Sequence, residues 1–290
     1  MRIRISTCLA GALIVGTIVD AAAVLDGEVP MDRIDAETRC GIGRSRDCDI
    51  KVAVGRGMFE TGLRPRFPAG LDCRDIDEQW AISYTYKRSR ENYHGGIDMP
   101  APYGTPMIAA AAGTVVAVYR GERTPRGMEI TLRHAPKETG LPFWIYTQYA
   151  HFDEMPTLEP GQRVAMGQKL GPTGNSGIQP GRAKRARRPA IHFAVWYSQS
   201  PNFAVGQRKV IPHDSYWMDP NALYRGNPTV DSAALKALPE DQKQVPIPVM
   251  LADGTTVPAG TKVVWPYTCS RSGSSDSGEP TTDEGSNEGN

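Results

Sequence analysis

Apolar and polar positions alternate in short runs through the middle of the chain, and turn residues break these runs at regular intervals. Strand-like runs occupy residues 106–119, 128–133, 143–151 and 191–197, and the first run is divided at Gly113. Two Gly-Gln turns lie between the third and fourth runs. Short alternating runs separated by turns are typical of antiparallel β-structure. We therefore predict a mainly β fold, a curved antiparallel sheet with a groove.

This pattern also divides the chain into segments. Residues 24–81 are polar and residues 82–225 hold the strand-like runs. A short helix near Ala233 and strand-like pieces around Asp253 follow them. The end of the chain is rich in Ser, Gly and Glu and cannot bury enough apolar area to become ordered. The predicted organisation is a signal peptide (1–23), a disulfide-bearing N-terminal segment (24–81), a core domain (82–225), a C-terminal extension (226–270) and a disordered tail (271–290).

The first residues have the features of an export signal. Arg2 and Arg4 give a charged start, an apolar stretch ends at Val19, and three alanines follow Asp20. The apolar stretch is shorter than the roughly 20 residues that span a bilayer, which favours cleavage over anchoring. We expect an exported protein, periplasmic or secreted, without a stable membrane span after cleavage.

Removal of the signal leaves four cysteines, Cys40, Cys48, Cys73 and Cys269. An even number in an exported chain favours two disulfides, and three pairings remain open. A cysteine zinc site is disfavoured because no Cys-x-x-Cys pair occurs.

The overall charge is balanced, with 33 Lys and Arg against 32 Asp and Glu and a net charge of +1. This balance gives no reason to expect nucleic acid as a partner. Five basic residues cluster between Gly181 and Pro189. They form either a solvated loop or a groove rim that attracts anionic polymer.

Three of the five histidines lie next to strand-like sequence or a glycine turn. His94 and Asp98 are four residues apart, and the intervening Gly95 and Gly96 argue for an extended segment that places both on one face. Imidazole and carboxylate both suit zinc. The alternative to a zinc site is that His94 and Asp98 are surface residues that only share a turn.

His192 shares a strand face with Ala190, Ala194 and Trp196, so its imidazole needs a partner, either a metal or a backbone carbonyl. His151 ends the third run and is suited to bind substrate or a developing oxyanion, unless it is only a strand-end histidine. His134 is expected to be structural or exposed.

Taken in order, the motifs resemble those of the lysostaphin- or LytM-type zinc metallopeptidases. They are His-x-x-x-Asp, a Gly-x-Val strand pair, Tyr-x-His, a Gly-Gln hairpin, Gly-Asn-Ser-Gly and a late His-Phe strand, and they cover residues 90–224. The resemblance implies Zn²⁺ bound by His94, Asp98 and His192, with His151 as catalytic residue. It also implies hydrolysis of peptide cross-links in bacterial cell-wall peptidoglycan.

One position departs from the family pattern. The family usually ends in His-x-His, whereas this chain has Ala190, Ile191 and His192, so one of two expected catalytic histidines is missing. His213 is a candidate for the replacement proton donor. The alternative is that His213 is only a histidine in a surface loop. The alternative function is a non-catalytic peptidoglycan-binding protein that regulates another cell-wall hydrolase.

Overall fold

The fold was analysed in a computed structural model. It describes residues 24–44, 47–76, 94–121, 124–177 and 188–273, together with the backbone of 86–87 and 90–91. The predicted signal peptide, most of the basic cluster and residues 274–290 of the predicted tail lie outside these residues. Within the described residues, no helix has the length and apolar character needed to cross a membrane.

The helices are short. They are α1 (Ala36–Gly43), α2 (Ile50–Gly55), α3 (Pro136–Thr139) and α4 (Ser232–Lys236), with 3-10 turns at Met31–Arg33, Pro220–Tyr224 and Glu240–Gln242. Helix α1 begins where the Asp35 side chain accepts a hydrogen bond from the Thr38 N–H, and it ends at Arg44 in a left-handed conformation.

Strands make up most of the regular structure, which confirms the prediction of a mainly β fold. They are β1 (Arg64–Arg66), β2 (Leu71–Asp72), β3 (Tyr86–Lys87), β4 (Arg90–Glu91), β5 (Ile97–Pro100), β6 (Pro106–Ile108), β7 (Gly113–Tyr119), β8 (Glu129–His134), β9 (Trp144–Ala150), β10 (Arg163–Val164), β11 (Lys169–Pro172), β12 (Ala190–Ser198), β13 (Phe203–Val205), β14 (Val210–Pro212), β15 (Tyr216–Met218), β16 (Gln244–Pro246), β17 (Val249–Leu251), β18 (Thr256–Val257) and β19 (Thr268–Arg271).

The central sheet has seven strands in the order β10-β7-β8-β9-β12-β15, and β5 also pairs with β12. Every pairing in this sheet is antiparallel. Strand β12 is the longest, and its first half pairs with β5 while its second half pairs with β15. The strand carrying His192 is therefore held on both sides.

The two faces of this sheet differ in character. One face is apolar and includes Ile130, Leu132, Tyr149, Phe193 and Val195, all buried. Tyr149 and Phe193 pack with ring centroids 5.2 Å apart. This face belongs to the hydrophobic core, since strand alternation sends the apolar positions of neighbouring strands to the same side.

The opposite face carries polar side chains in neighbouring positions of β8, β9 and β12. We call it the site face and define it by Glu129, Thr131, Gln148, Ala150, His192, Ala194 and Trp196. All seven are buried.

The N-terminal and C-terminal segments are integrated into the fold. β1 pairs with β16, and β2 joins the sheet formed by β17, β18 and β19. The disulfides join Cys40 to Cys48 and Cys73 to Cys269. One of the three open pairings is thus selected, and its Cys73–Cys269 bridge ties the N-terminal segment to the C-terminal extension.

Candidate metal centre

His192 and Asp98 face each other across the pairing of β12 with β5. On its other side His192 pairs with Ala150, so the next residue, His151, follows at the end of β9. His94 precedes β5 by three residues. Strand register therefore brings together side chains that are far apart in the sequence.

Three ligand-type atoms form a nearly equilateral triangle. Nδ1 of His192 lies 3.1 Å from Nε2 of His94 and 3.1 Å from Oδ1 of Asp98, and the His94 and Asp98 atoms are 3.2 Å apart. These are the residues of one candidate metal-binding group in the described part of the chain. A single proton on Nδ1 of His192 cannot complete both of its contacts, whereas a cation between the three atoms would satisfy all of them.

The triangle fits the size and chemistry of a zinc site. Zinc–nitrogen and zinc–oxygen bonds of about 2.0 Å in a tetrahedron place ligand atoms roughly 3.3 Å apart. Burial, partly offset by the Asp98 hydrogen bond, lowers the pKa of His192 to about 3, which keeps its imidazole neutral. Two neutral imidazoles and one carboxylate form a donor set that zinc accepts, with a fourth position for water.

Gly96 makes room for the ring of His192. A Cβ added at Gly96 would lie 2.6 Å from Cε1 and 2.8 Å from Nε2 of His192. The glycine in the His-Gly-Gly segment thus has a packing role in addition to shaping the turn.

His151 lies beside this group, with its ring centroid 5.9 Å from that of His192. Its Nδ1 donates to the carbonyl of Ser176 at 2.8 Å, which leaves the lone pair of the neutral ring on Nε2. Its backbone has φ 70°, a left-handed conformation that costs free energy in a residue other than glycine. Such strain is often retained at functional sites.

The Gly174–Gly177 turn connects His151 to the strand that carries His192. The Gly174 N–H donates to the carbonyl of His151 at 2.8 Å, and its own carbonyl accepts from Ala190 N at 3.2 Å. The Cβ of another residue at Gly174 would lie 2.5 Å from Cα of Asp153. The sequence analysis found this turn only through the family resemblance.

Ala190 lies on the same face as His192, and its side chain is buried. His213 does not lie next to this position. Its carbonyl accepts from the Ser198 hydroxyl, and Ser198 is roughly 20 Å from His192 along β12. The structure therefore gives no support to His213 as a replacement donor.

Two cationic residues near the site were missed by the sequence analysis. Arg44 donates from Nη1 to the carbonyl of His94 at 3.2 Å. Lys209 is buried against Trp196 and Trp217. Neither residue stands in a recognisable motif, and only the packing of the N-terminal segment and of the β13–β14 hairpin onto the sheet brings them there. His134 is buried, with contacts from its ring nitrogens to Ala112 and Thr147, and is structural.

The model of peptidase family M23 matches residues 92–203, the part of the chain that holds the candidate metal centre. This match confirms the family resemblance predicted from the ordered motifs.

Among curated proteins, the chain is similar to the cell division protein DipM of Caulobacter vibrioides. The two are 27% identical over 148 residues, 51% of this chain and 19% of DipM. It is also 25% identical over 127 residues to the peptidoglycan DD-endopeptidase ShyA of Vibrio cholerae, 41% of this chain and 26% of ShyA. The matches thus span about a fifth to a quarter of these relatives.

Among solved structures, the chain is similar to a mutant catalytic domain of the prophage-encoded M23 protein EnpA from Enterococcus faecalis. The sequence identity is 23% and the TM-score 0.34. The match covers 48% of this chain and 90% of the EnpA domain.

Proposed function

We propose that this protein is a zinc-dependent endopeptidase that hydrolyses peptide cross-links of bacterial cell-wall peptidoglycan. The observation that carries the proposal is the triangle of His94, Asp98 and His192, whose edges of 3.1–3.2 Å suit a tetrahedral zinc ion. The match of residues 92–203 to the model of peptidase family M23 supports peptide hydrolysis. The name of ShyA supports peptidoglycan as the substrate.

His94, Asp98 and His192 would hold the ion and leave one position open. When bound there, zinc polarises a substrate carbonyl and lowers the pKa of its water ligand. His151 is the group next to this position that can move a proton. Its hydrogen bond to Ser176 fixes the ring, so that Nε2 accepts a proton in the neutral form and donates to a developing oxyanion in the protonated form.

The proposed cellular location is outside the cytoplasm, periplasmic or secreted. The amino-terminal sequence has the pattern of an export signal, and the substrate lies beyond the cytoplasmic membrane. Two disulfides are consistent with an oxidising compartment.

The first experiment is release of soluble muropeptides from purified sacculi by the zinc-loaded protein. We expect His94→Ala to abolish both stoichiometric zinc binding and release. His151→Ala is expected to keep the zinc and lose about 10²- to 10⁴-fold in rate. His213→Ala is the matched control, because His213 lies away from the site, and it should behave as wild type.

A second function is favoured by one observation, the alanine at position 190. Without a histidine at position 190, the protein would bind peptidoglycan without cleaving it and would regulate another cell-wall hydrolase. Stoichiometric zinc binding and sacculus binding without release of muropeptides would support this function over the enzyme. Release that appears only in Ala190→His would identify the missing imidazole as the cause.

A further inference from the structure

Lys209 is a buried lysine that lies against two tryptophan rings. It lies in the turn between β13 and β14 and is 7% exposed. Its Nζ is 4.8 Å from the ring centroid of Trp196 and 4.5 Å from that of Trp217. Within the described residues its ammonium group makes neither a hydrogen bond nor an ion pair. Cation–π contacts offset only part of the cost of burying a charge.

The charges around Lys209 leave an excess of positive charge. Arg126, Arg44 and Glu129 act on it electrostatically, and burial together with the two guanidinium groups lowers the pKa of Lys209 well below its usual value. The carboxylate of Glu129 is engaged by Arg126, which donates to it from Nε. Glu129 is therefore shared between Arg126 and Lys209, and among the described residues the positive charges of this group outnumber the negative one.

Neighbouring positions of the site face contain polar groups that lack hydrogen bonds. Nε1 of Trp196 and Oγ1 of Thr131 are buried without a partner among the described residues. Nε2 of Gln148 also lacks a hydrogen bond of normal geometry. Burial raises the pKa of the Glu129 carboxyl, and the Gln148 amide is close enough to oppose part of that rise. An indole N–H, an amide NH₂ and an ammonium are all donors, so the cluster has more donors than acceptors.

This cluster continues the candidate metal centre along the same face of the sheet. Trp196 follows His192 by four residues on β12, roughly 13 Å, and points to the same side. Trp217 reaches Gly95, where its ring would be 2.9 Å from an added Cβ. The cluster thus lies about four residues of an extended peptide away from His192, on the same side of the sheet.

We propose that Lys209, with Trp196, Gln148 and Thr131, forms a subsite that binds a carboxylate group of the peptide being processed. The proposal deepens the proposed function and rests on it for the identity of the peptide. The excess positive charge of this group matches the single negative charge of a carboxylate, and the donors without hydrogen bonds of normal geometry match its two oxygen atoms. A bound carboxylate would also restore the protonated state that burial disfavours in Lys209.

The test uses two small probes that do not depend on peptidoglycan cleavage. An N-acetylated alanyl dipeptide with a free carboxylate and the same dipeptide as its carboxamide are titrated into the zinc-loaded full chain. Tryptophan fluorescence reports binding, since Trp196 and Trp217 contact Lys209. The variants are Lys209→Met, which keeps the apolar stem, and Lys209→Arg, which keeps the charge. Lys169→Met is the control, because Lys169 is exposed on β11.

We expect wild type to bind the carboxylate about 10- to 100-fold more tightly than the amide, the range of a charge-assisted hydrogen bond. Lys209→Met should lose this preference while retaining zinc and near-ultraviolet circular dichroism. Lys209→Arg and Lys169→Met should keep it. Equal binding of the two probes by wild type, or a preference that persists in Lys209→Met, would overturn the subsite.

The same proteins are then assayed on sacculi, which separates the two proposals. A carboxylate preference that depends on Lys209, without binding or cleavage of sacculi, would leave the subsite standing and reject the peptidoglycan function. Cleavage of sacculi without any carboxylate preference would reject the subsite and leave the peptidoglycan function standing.

Discussion

Gly96 lies against the imidazole of His192, at a distance that leaves no room for a methyl group. An added Cβ would approach Nε2 of His192 to 2.8 Å and the carbonyl oxygen of Phe193 to the same distance. The backbone of β12 cannot easily move, because β9 and β5 pair with it on both sides. The ring of His192 would therefore have to shift, and with it Nδ1, the atom that faces Asp98 and His94.

Gly96→Ala is consequently expected to weaken zinc binding by at least about tenfold, as disruption of groups that orient ligands commonly does. Competition with a chromogenic chelator measures the affinity. Gly55→Ala is the matched control, since nothing lies within 4 Å of a Cβ at Gly55. Unchanged affinity in Gly96→Ala would show that the space at Gly96 does not determine the position of the His192 ring.

Tyr267 joins the C-terminal extension to both strands of the candidate metal centre. Its hydroxyl donates to the carbonyl of Met99 at 3.1 Å and accepts from the N–H of Ile191 at 3.0 Å. Met99 and Ile191 are register partners and immediate neighbours of Asp98 and His192.

Tyr267→Phe removes this hydroxyl and leaves two buried backbone groups unpaired. We expect a loss of about 1–3 kcal/mol in the free energy of unfolding for each group that water does not reach. Urea unfolding of the metal-free protein measures it. Tyr103→Phe is the control, because Tyr103 is 53% exposed. Equal stability of the two variants would exclude a structural role for the Tyr267 hydroxyl.

His134 predicts a pH dependence of stability that is separate from the metal centre. It is fully buried, and this burial lowers its pKa from 6.5 to about 4. The unfolded chain therefore binds a proton between pH 6.5 and about 4 that the folded chain does not bind. Stability is retained above pH 6.5 and is lost as the pH falls through this window, by about 3 kcal/mol in all.

His134→Gln should remove this contribution to the dependence of the free energy of unfolding on pH. The test is the free energy of unfolding by urea at several pH values, for metal-free wild type and variant. His192 also titrates abnormally, but it is present in both proteins and cancels in the difference. Parallel curves between pH 6.5 and 4 would contradict the assignment of the slope to His134.

Local pattern was sufficient to predict most strands of the central sheet. The alternation around Ile191–Tyr197 and the break at Gly113 are local signals, and β12 and β7 lie where those signals place them. The alternation also predicted correctly that Ala190 and His192 share a face, because side-chain direction in a strand depends only on sequence spacing.

Contacts between distant segments could not be predicted in this way. The register that sets His192 opposite Asp98 depends on which strands pair, and a single sequence does not specify that. No sequence motif marks Lys209, and its burial against Trp217 follows only from the docking of the β13–β14 hairpin. Arg44 reaches His94 because α1 packs beside the sheet, and no motif marks it.

The two disulfides close loops of very different length, and this difference leads to the last prediction. Cys73 and Cys269 are 196 residues apart, whereas Cys40 and Cys48 are separated by 8. In the chain-entropy account, the longer loop contributes about 5 kcal/mol and the shorter about 2.5 kcal/mol. The Cys73–Cys269 bridge also holds β19 next to β2, and β19 follows Tyr267 directly.

Replacing Cys73 and Cys269 by alanine should therefore lower the free energy of unfolding more than replacing Cys40 and Cys48. It should also weaken zinc binding, because Tyr267 contacts both β5 and β12. Urea unfolding and chelator competition on the two double variants measure both effects, and a larger loss in the Cys40 and Cys48 variant would refute this ranking.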